Sequence, residues 1–197
     1  MNASKSDQEN GEPANEPPPG WTLALWSAWA WLVMTITHEL GHVVAALTGG
    51  AKLVALELRP WHLPHSLYVA DPHPLITLWG GPAVGCLVPL AVAVAMRRPA
   101  TWYVAWFCVV ANAIYLLLGY YSGDAELDST KMLQAGNSKI VLLAVAGVAC
   151  TIGYVQFRKC CMGLINGSTR RGTRRDHWIS AAALLIVITM QATVGSL

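Results

Sequence analysis

Residues 21–50 read WTLALWSAWAWLVMTITHELGHVVAALTGG, and this stretch decides the fold. Its first 27 residues, 21–47, form an apolar run long enough to cross a bilayer as one helix, which takes roughly 17–25 residues. Trp21, Trp26, Trp29 and Trp31 crowd its start, and tryptophan favours the membrane–water interface. Three ionisable side chains, His38, Glu39 and His42, interrupt its second half. Gly49-Gly50 then stops the helix, because glycine is among the poorest helix formers. Beyond the stop, Val54, Leu56 and Leu58 alternate with Ala55, Glu57 and Arg59, the period of two that marks a half-buried strand. A short strand or hairpin at the membrane surface is expected there.

Outward from this segment, four more apolar stretches follow at 75–96, 101–121, 140–157 and 178–194. The chain of 197 residues is 54% hydrophobic and 12% charged, with a mean hydropathy of +0.43; soluble domains carry roughly a quarter charged residues. The expected fold class is therefore an all-α polytopic membrane protein of about five transmembrane helices, with a short β-strand or hairpin after the first. The lipid bilayer is its surroundings, and the location is integral, multi-pass. A formal charge of +2 gives no reason to expect nucleic acid as a partner. Residues 1–20 are acidic and Pro-rich without apolar periodicity, and read as a disordered tail. Residues 21–135 form a three-span core, and 136–197 add two helices joined by a basic loop. Nine of the thirteen basic residues fall on the N-terminal side of a five-span layout, which places that side in the cytoplasm. The five cysteines form no CxxC pair; Cys86, Cys108 and Cys150 read as small apolar residues. Cys160 and Cys161 read as inert thiols at a membrane edge.

The chemistry lies in His38-Glu39-Leu40-Gly41-His42. Positions i and i+4 share a helix face, so both imidazoles can reach one metal ion. Glu39 is placed to hold and deprotonate a metal-bound water. These are the mechanics of HExxH: two histidine ligands for zinc and a glutamate base. With six His and six Glu in the chain, the motif is expected by chance roughly 0.005 times, so it is a specific signal. An ionisable side chain within a membrane helix costs about 2.5–3.5 kcal/mol on insertion scales; three on one face are hard to assign to packing. Gly41 and Ala45 would let another helix come close.

A catalytic zinc takes three protein ligands and leaves a position for water. Asp124 and Asp128, just after the third stretch, are the candidates for the third, because two crossings return the chain to the face where the first span ends. Asp71 and Glu126 are weaker candidates. His62, His65 and His73 in loop 60–74 read as surface histidines, and His177 as interfacial.

The stretch THELGHVVAALTGG at 37–50 resembles the site-2 protease clan of intramembrane metallopeptidases, the M50 group, and most closely its small M50B-like branch. Gly49-Gly50 followed by a strand at 53–58, and Gly81-Pro82 in the next helix, are similar to the same pattern. Gly123-Asp124-Ala125 resembles the Ser-Asp-Ala of that branch, and on this ground Asp124 is preferred to Asp128. Better-known members carry Asn-Pro and Leu-Asp-Gly; here Asn112 lacks the proline and Leu127-Asp128 is followed by Ser129. The resemblance covers residues 30 to 135. It implies a zinc metalloendopeptidase with one Zn2+ per chain, held by His38, His42 and Asp124, with Glu39 as catalytic base. It also implies a transmembrane protein substrate, and zinc nearer the cytosol, opposite to the basic-residue count. The alternative is a zinc-binding membrane scaffold, or pseudoprotease, that does not cut.

Overall fold

A computed structural model describes residues 16–59 and 61–194; the expected tail lies, up to residue 15, outside them. Three helices open on proline: α1 (Pro19–Thr48), α2 (Pro74–Met96) and α3 (Pro99–Ser122). Proline suits a first helical turn, where its fixed φ is already helical and its missing N–H has no partner to lose. Between α1 and α2 an antiparallel hairpin forms from β1 (Lys52–Glu57) and β2 (His65–Val69). It runs in register from Lys52↔Val69 to Glu57↔His65, with an irregularity between Leu53 and Ala55. A seven-residue helix, α4 (Asp128–Gln134), follows α3; α5 (Lys139–Ile165) and α6 (Arg174–Val194) complete the chain.

Helix α1 packs on α2 and α3, and α5 packs mainly on α3. The α1–α2 contact is close because it is made of small residues. A Cβ on Gly41 would collide with the Gly80 carbonyl, and one on Gly80 would lie 2.6 Å from the Cβ of Ala45. Small residues let membrane helices approach at backbone distance, where dispersion contacts are densest. Helix α6 joins α1 near its start: Trp29 donates to Ser180 Oγ at 2.9 Å, and Trp21 and Trp178 lie 6.0 Å apart. His177, read as interfacial, is buried there, 3.0 Å from Thr22 Oγ1.

The outer surface is apolar. Leu87 is 65% exposed, Val148 60% and Leu185 65%, an arrangement water would penalise and lipid accommodates. Helices α1, α2, α3 and α5 are each long and apolar enough to cross a membrane. Helix α6, whose first turn carries Arg174, Arg175 and Asp176, is not among these four; the multi-pass, all-α membrane class and the hairpin are as expected, with four such helices among the described residues where about five were expected. One boundary differs. The fourth apolar stretch ends at 157, yet α5 continues to Ile165, so Arg158, Lys159, Cys160 and Cys161 lie on a helix. Arginine and lysine are good helix formers and extend their charge away from apolar surroundings on long stems. The basic connection shrinks to 166–173.

Candidate metal centre

His38 lies ten residues before Thr48, so by helix rise about 15 Å from the end of α1. Its Nδ1 is 2.6 Å from Asn112 Oδ1 on α3. Asn112 is itself oriented by its Nδ2, which donates to the Cys108 carbonyl at 2.8 Å. Its oxygen therefore faces His38, and an amide oxygen only accepts, so Nδ1 carries the proton and Nε2 keeps its lone pair. The same logic fixes His42. Its Nδ1 donates to the Thr77 carbonyl at 2.8 Å, leaving Nε2 as the electron-pair donor. Outer hydrogen bonds of this kind set the tautomer and ring orientation of metal-binding histidines.

Glycines of α2 make the room. A Cβ on Gly81 would fall on the His42 imidazole, and one on Gly85 would lie 2.9 Å from Asn112 Nδ2. That gives Gly81-Pro82 a physical reason: the residue before the proline must be bare for His42 to lie against α2.

Asp128, the first residue of α4, completes the group. Its Oδ2 is 2.9 Å from His38 Nε2 and 3.1 Å from His42 Nε2, and the two nitrogens are 3.0 Å apart. Three potential lone-pair donors face one another, a set that a cation, or a proton between imidazole and carboxylate, holds together. Their spacings are close to the edge of about 3.3 Å of a tetrahedron with zinc–ligand bonds of about 2.0–2.1 Å. Two imidazoles and a carboxylate also suit zinc chemically. The residues present fit the ion. Among the described residues, His38, His42 and Asp128 are the group arranged to hold a metal.

Asp124, preferred on the resemblance, is not brought to the histidines. It is exposed, and its Oδ1 accepts the Glu126 N–H at 3.0 Å, closing a local turn. The reason lies in the path of the chain. Gly123 ends α3 in a left-handed conformation at φ 67°, and 124–127 reverse direction. α4 then returns against α3, held by Thr130 Oγ1 donating to the Gly119 carbonyl at 2.9 Å. Only after the reversal does a carboxylate reach the site, and that carboxylate is Asp128. Glu126 pairs with Lys131 at 3.9 Å, and Asp71 accepts the His73 N–H at 2.9 Å. His62, His65 and His73 are exposed and do not join the cluster.

Glu39 points from α1 toward β2, where Ser66 Oγ donates to its Oε2 at 2.9 Å. It is only 5% exposed, yet it borders a cavity of about 760 Å3 that His38, His42, Met34, Tyr68 and Asp128 also line. Asn112, Thr77 and Ser66 are the site residues that the motif does not contain. Asn112 had a signal, a lone amide in an apolar span; Thr77 acts through its backbone and had none. We expect Asn112→Leu to weaken zinc binding by about 10–100-fold, the usual cost of losing such an outer partner, while the fold persists. Competition with a chromophoric chelator measures it; an unchanged affinity would show that Asn112 does not orient His38.

The peptidase M50B-like family model matches residues 20–121. No curated protein and no solved structure matches the chain. The matched region runs from the start of α1 to the last turn of α3, and so holds the histidine pair, Glu39, the hairpin, Gly81-Pro82 and Asn112. Spanning just over half of the sequence, it makes this integral membrane protein a member of the M50B-like branch of the site-2 protease family.

Proposed function

We propose that this protein is an intramembrane zinc metalloendopeptidase that hydrolyses peptide bonds of membrane-protein substrates in or near the bilayer. The observation that carries the proposal is the buried carboxylate of Glu39 beside the converged His38, His42 and Asp128, at the wall of a cavity within a membrane helix bundle. A pure metal scaffold has no use for an acid held next to the ligands and outside their set. The cavity is of the size that admits a peptide segment of a few residues and lies between helices, where a substrate arriving through the membrane would meet it.

His38, His42 and Asp128 would hold the ion. Zinc at such a site lowers the pKa of a bound water and polarises a carbonyl. The oxygen of Glu39 other than the one Ser66 engages takes the proton of the attacking water and passes it to the leaving amine. Ser66 keeps the carboxylate turned toward the cavity during both transfers. Met34, Leu116 and Pro82 give the cavity an apolar wall that suits the side chains of an unwound membrane segment and limits bulk water.

The test is purified protein in detergent with a panel of single-span substrates, before and after treatment with a zinc chelator. We expect about one zinc per chain, cleavage at defined bonds identified by mass spectrometry, loss of cleavage on chelation and recovery on adding zinc. Zinc-loaded, folded protein that cuts none of the panel would favour the scaffold reading.

A further inference from the structure

Strand β2 presents more than Ser66 to the site. Residues two apart on a strand point to the same face, and burial along β2 alternates, with Ser66 and Tyr68 half-buried and His65, Leu67 and Val69 exposed. Since Ser66 Oγ reaches Glu39, Tyr68 projects on that same side. It lines the cavity shared by Glu39, His38, His42 and Asp128. Its hydroxyl is buried and has no hydrogen-bond partner among the described residues. Buried hydroxyls are nearly always partnered, because an unmade bond there costs about 1–3 kcal/mol. Burial pushes the phenol up to about 12, against the lowering effect of the neighbouring Ser66 hydroxyl and with the charges of Glu39, Asp71 and Asp128 adding to the rise, so it keeps its proton and remains a donor at neutral pH.

We propose that Tyr68 is a further catalytic residue, whose hydroxyl donates a hydrogen bond to the carbonyl oxygen of the scissile peptide as that oxygen becomes negative. This rests on the peptidase reading above. As water adds to the carbonyl carbon, the C=O π pair moves onto oxygen, and the new charge meets the Tyr68 O–H. When the carbonyl re-forms, the C–N bond breaks and the amine leaves with the proton Glu39 carried. Tyr68 keeps its own proton throughout. A donor aimed where charge develops stabilises the transition state more than the ground state, so its loss falls on kcat. The unpartnered state of the hydroxyl without substrate is then the preorganised state of the catalyst.

The test compares wild type with Tyr68→Phe, which keeps the ring. Loss of a single such donor costs about 100-fold in kcat, and we expect that loss with KM changed less than about threefold. Zinc content should be unchanged. The thermal midpoint should change little, because the hydroxyl makes no well-formed hydrogen bond, the Ser66 hydroxyl being its only close polar neighbour among the described residues. A phosphinic peptide, whose tetrahedral oxygens imitate the reacting carbonyl, should bind Tyr68→Phe more weakly by a similar factor. A kcat within threefold of wild type would overturn the assignment while leaving proteolysis standing. A lowered midpoint or lost zinc would overturn it in favour of a packing role. Wild type that holds zinc and cuts nothing would remove the peptidase reading, and this inference with it.

Discussion

Glu39→Gln is expected to keep its zinc and lose its cleavage, by about 10²–10⁴-fold in kcat, the range general acid–base catalysis contributes. The substitution preserves shape and the acceptor oxygen that Ser66 engages, so the hairpin should stay on α1. It removes only the basicity. Glu39 is not among the converged donors, which are His38, His42 and Asp128, so metal binding should be unaffected. Because Glu39 is nearly fully buried, an amide there is no less stable than a carboxylate, which water would otherwise solvate. Elemental analysis together with the rate of product formation checks both halves. A variant that still cuts would show that the water loses its proton elsewhere; one that loses zinc would make Glu39 a ligand.

The second large effect separates the two aspartates. Asp128→Ala is expected to weaken zinc binding by more than the roughly 10–100-fold that an outer hydrogen-bond partner costs, since it removes one of the three atoms proposed to hold the ion. Asp124→Ala is expected to change zinc affinity less than about twofold and stability by less than about 0.5 kcal/mol, the usual range for exposed surface substitutions. The geometry behind the contrast is plain. Asp128 Oδ2 sits 2.9 and 3.1 Å from the two imidazole nitrogens, whereas Asp124 spends its carboxylate on the N–H of Glu126 in the loop beyond α3.

This contrast also shows what the sequence made legible. The membrane class, the helix order and the hairpin follow from long apolar runs, the glycine stop and the alternation at 53–58, signals that act within one element. His38, Glu39 and His42 lie on one helix, so their relation follows from helical periodicity alone. The third ligand does not. It depends on how tightly the chain turns after Gly123 and on a seven-residue helix too short to show a period; the carboxylate that meets the imidazoles, Asp128, lies across that turn from Asp124, which the local resemblance favoured. Leu127-Asp128, similar to the first two residues of the Leu-Asp-Gly of better-known members, carries the carboxylate that approaches the histidines. The glycine after that pair is replaced by Ser129, whose side chain packs against Gly119; the bare position has moved to the facing helix. Asn112 and Ser66 escaped for a related reason. Each reaches the site from a different element, across sequence separations of 74 and 27 residues, and no single-chain pattern encodes such a meeting.

The most direct measurement is the zinc content of wild type, Asp128→Ala and Asp124→Ala, each purified in one detergent and equilibrated at one limiting free-zinc concentration. About one zinc per chain is expected in wild type and Asp124→Ala, and little in Asp128→Ala at the same fold content by circular dichroism. Full zinc in Asp128→Ala with loss in Asp124→Ala would contradict this expectation, and would return the third ligand to the loop beyond α3.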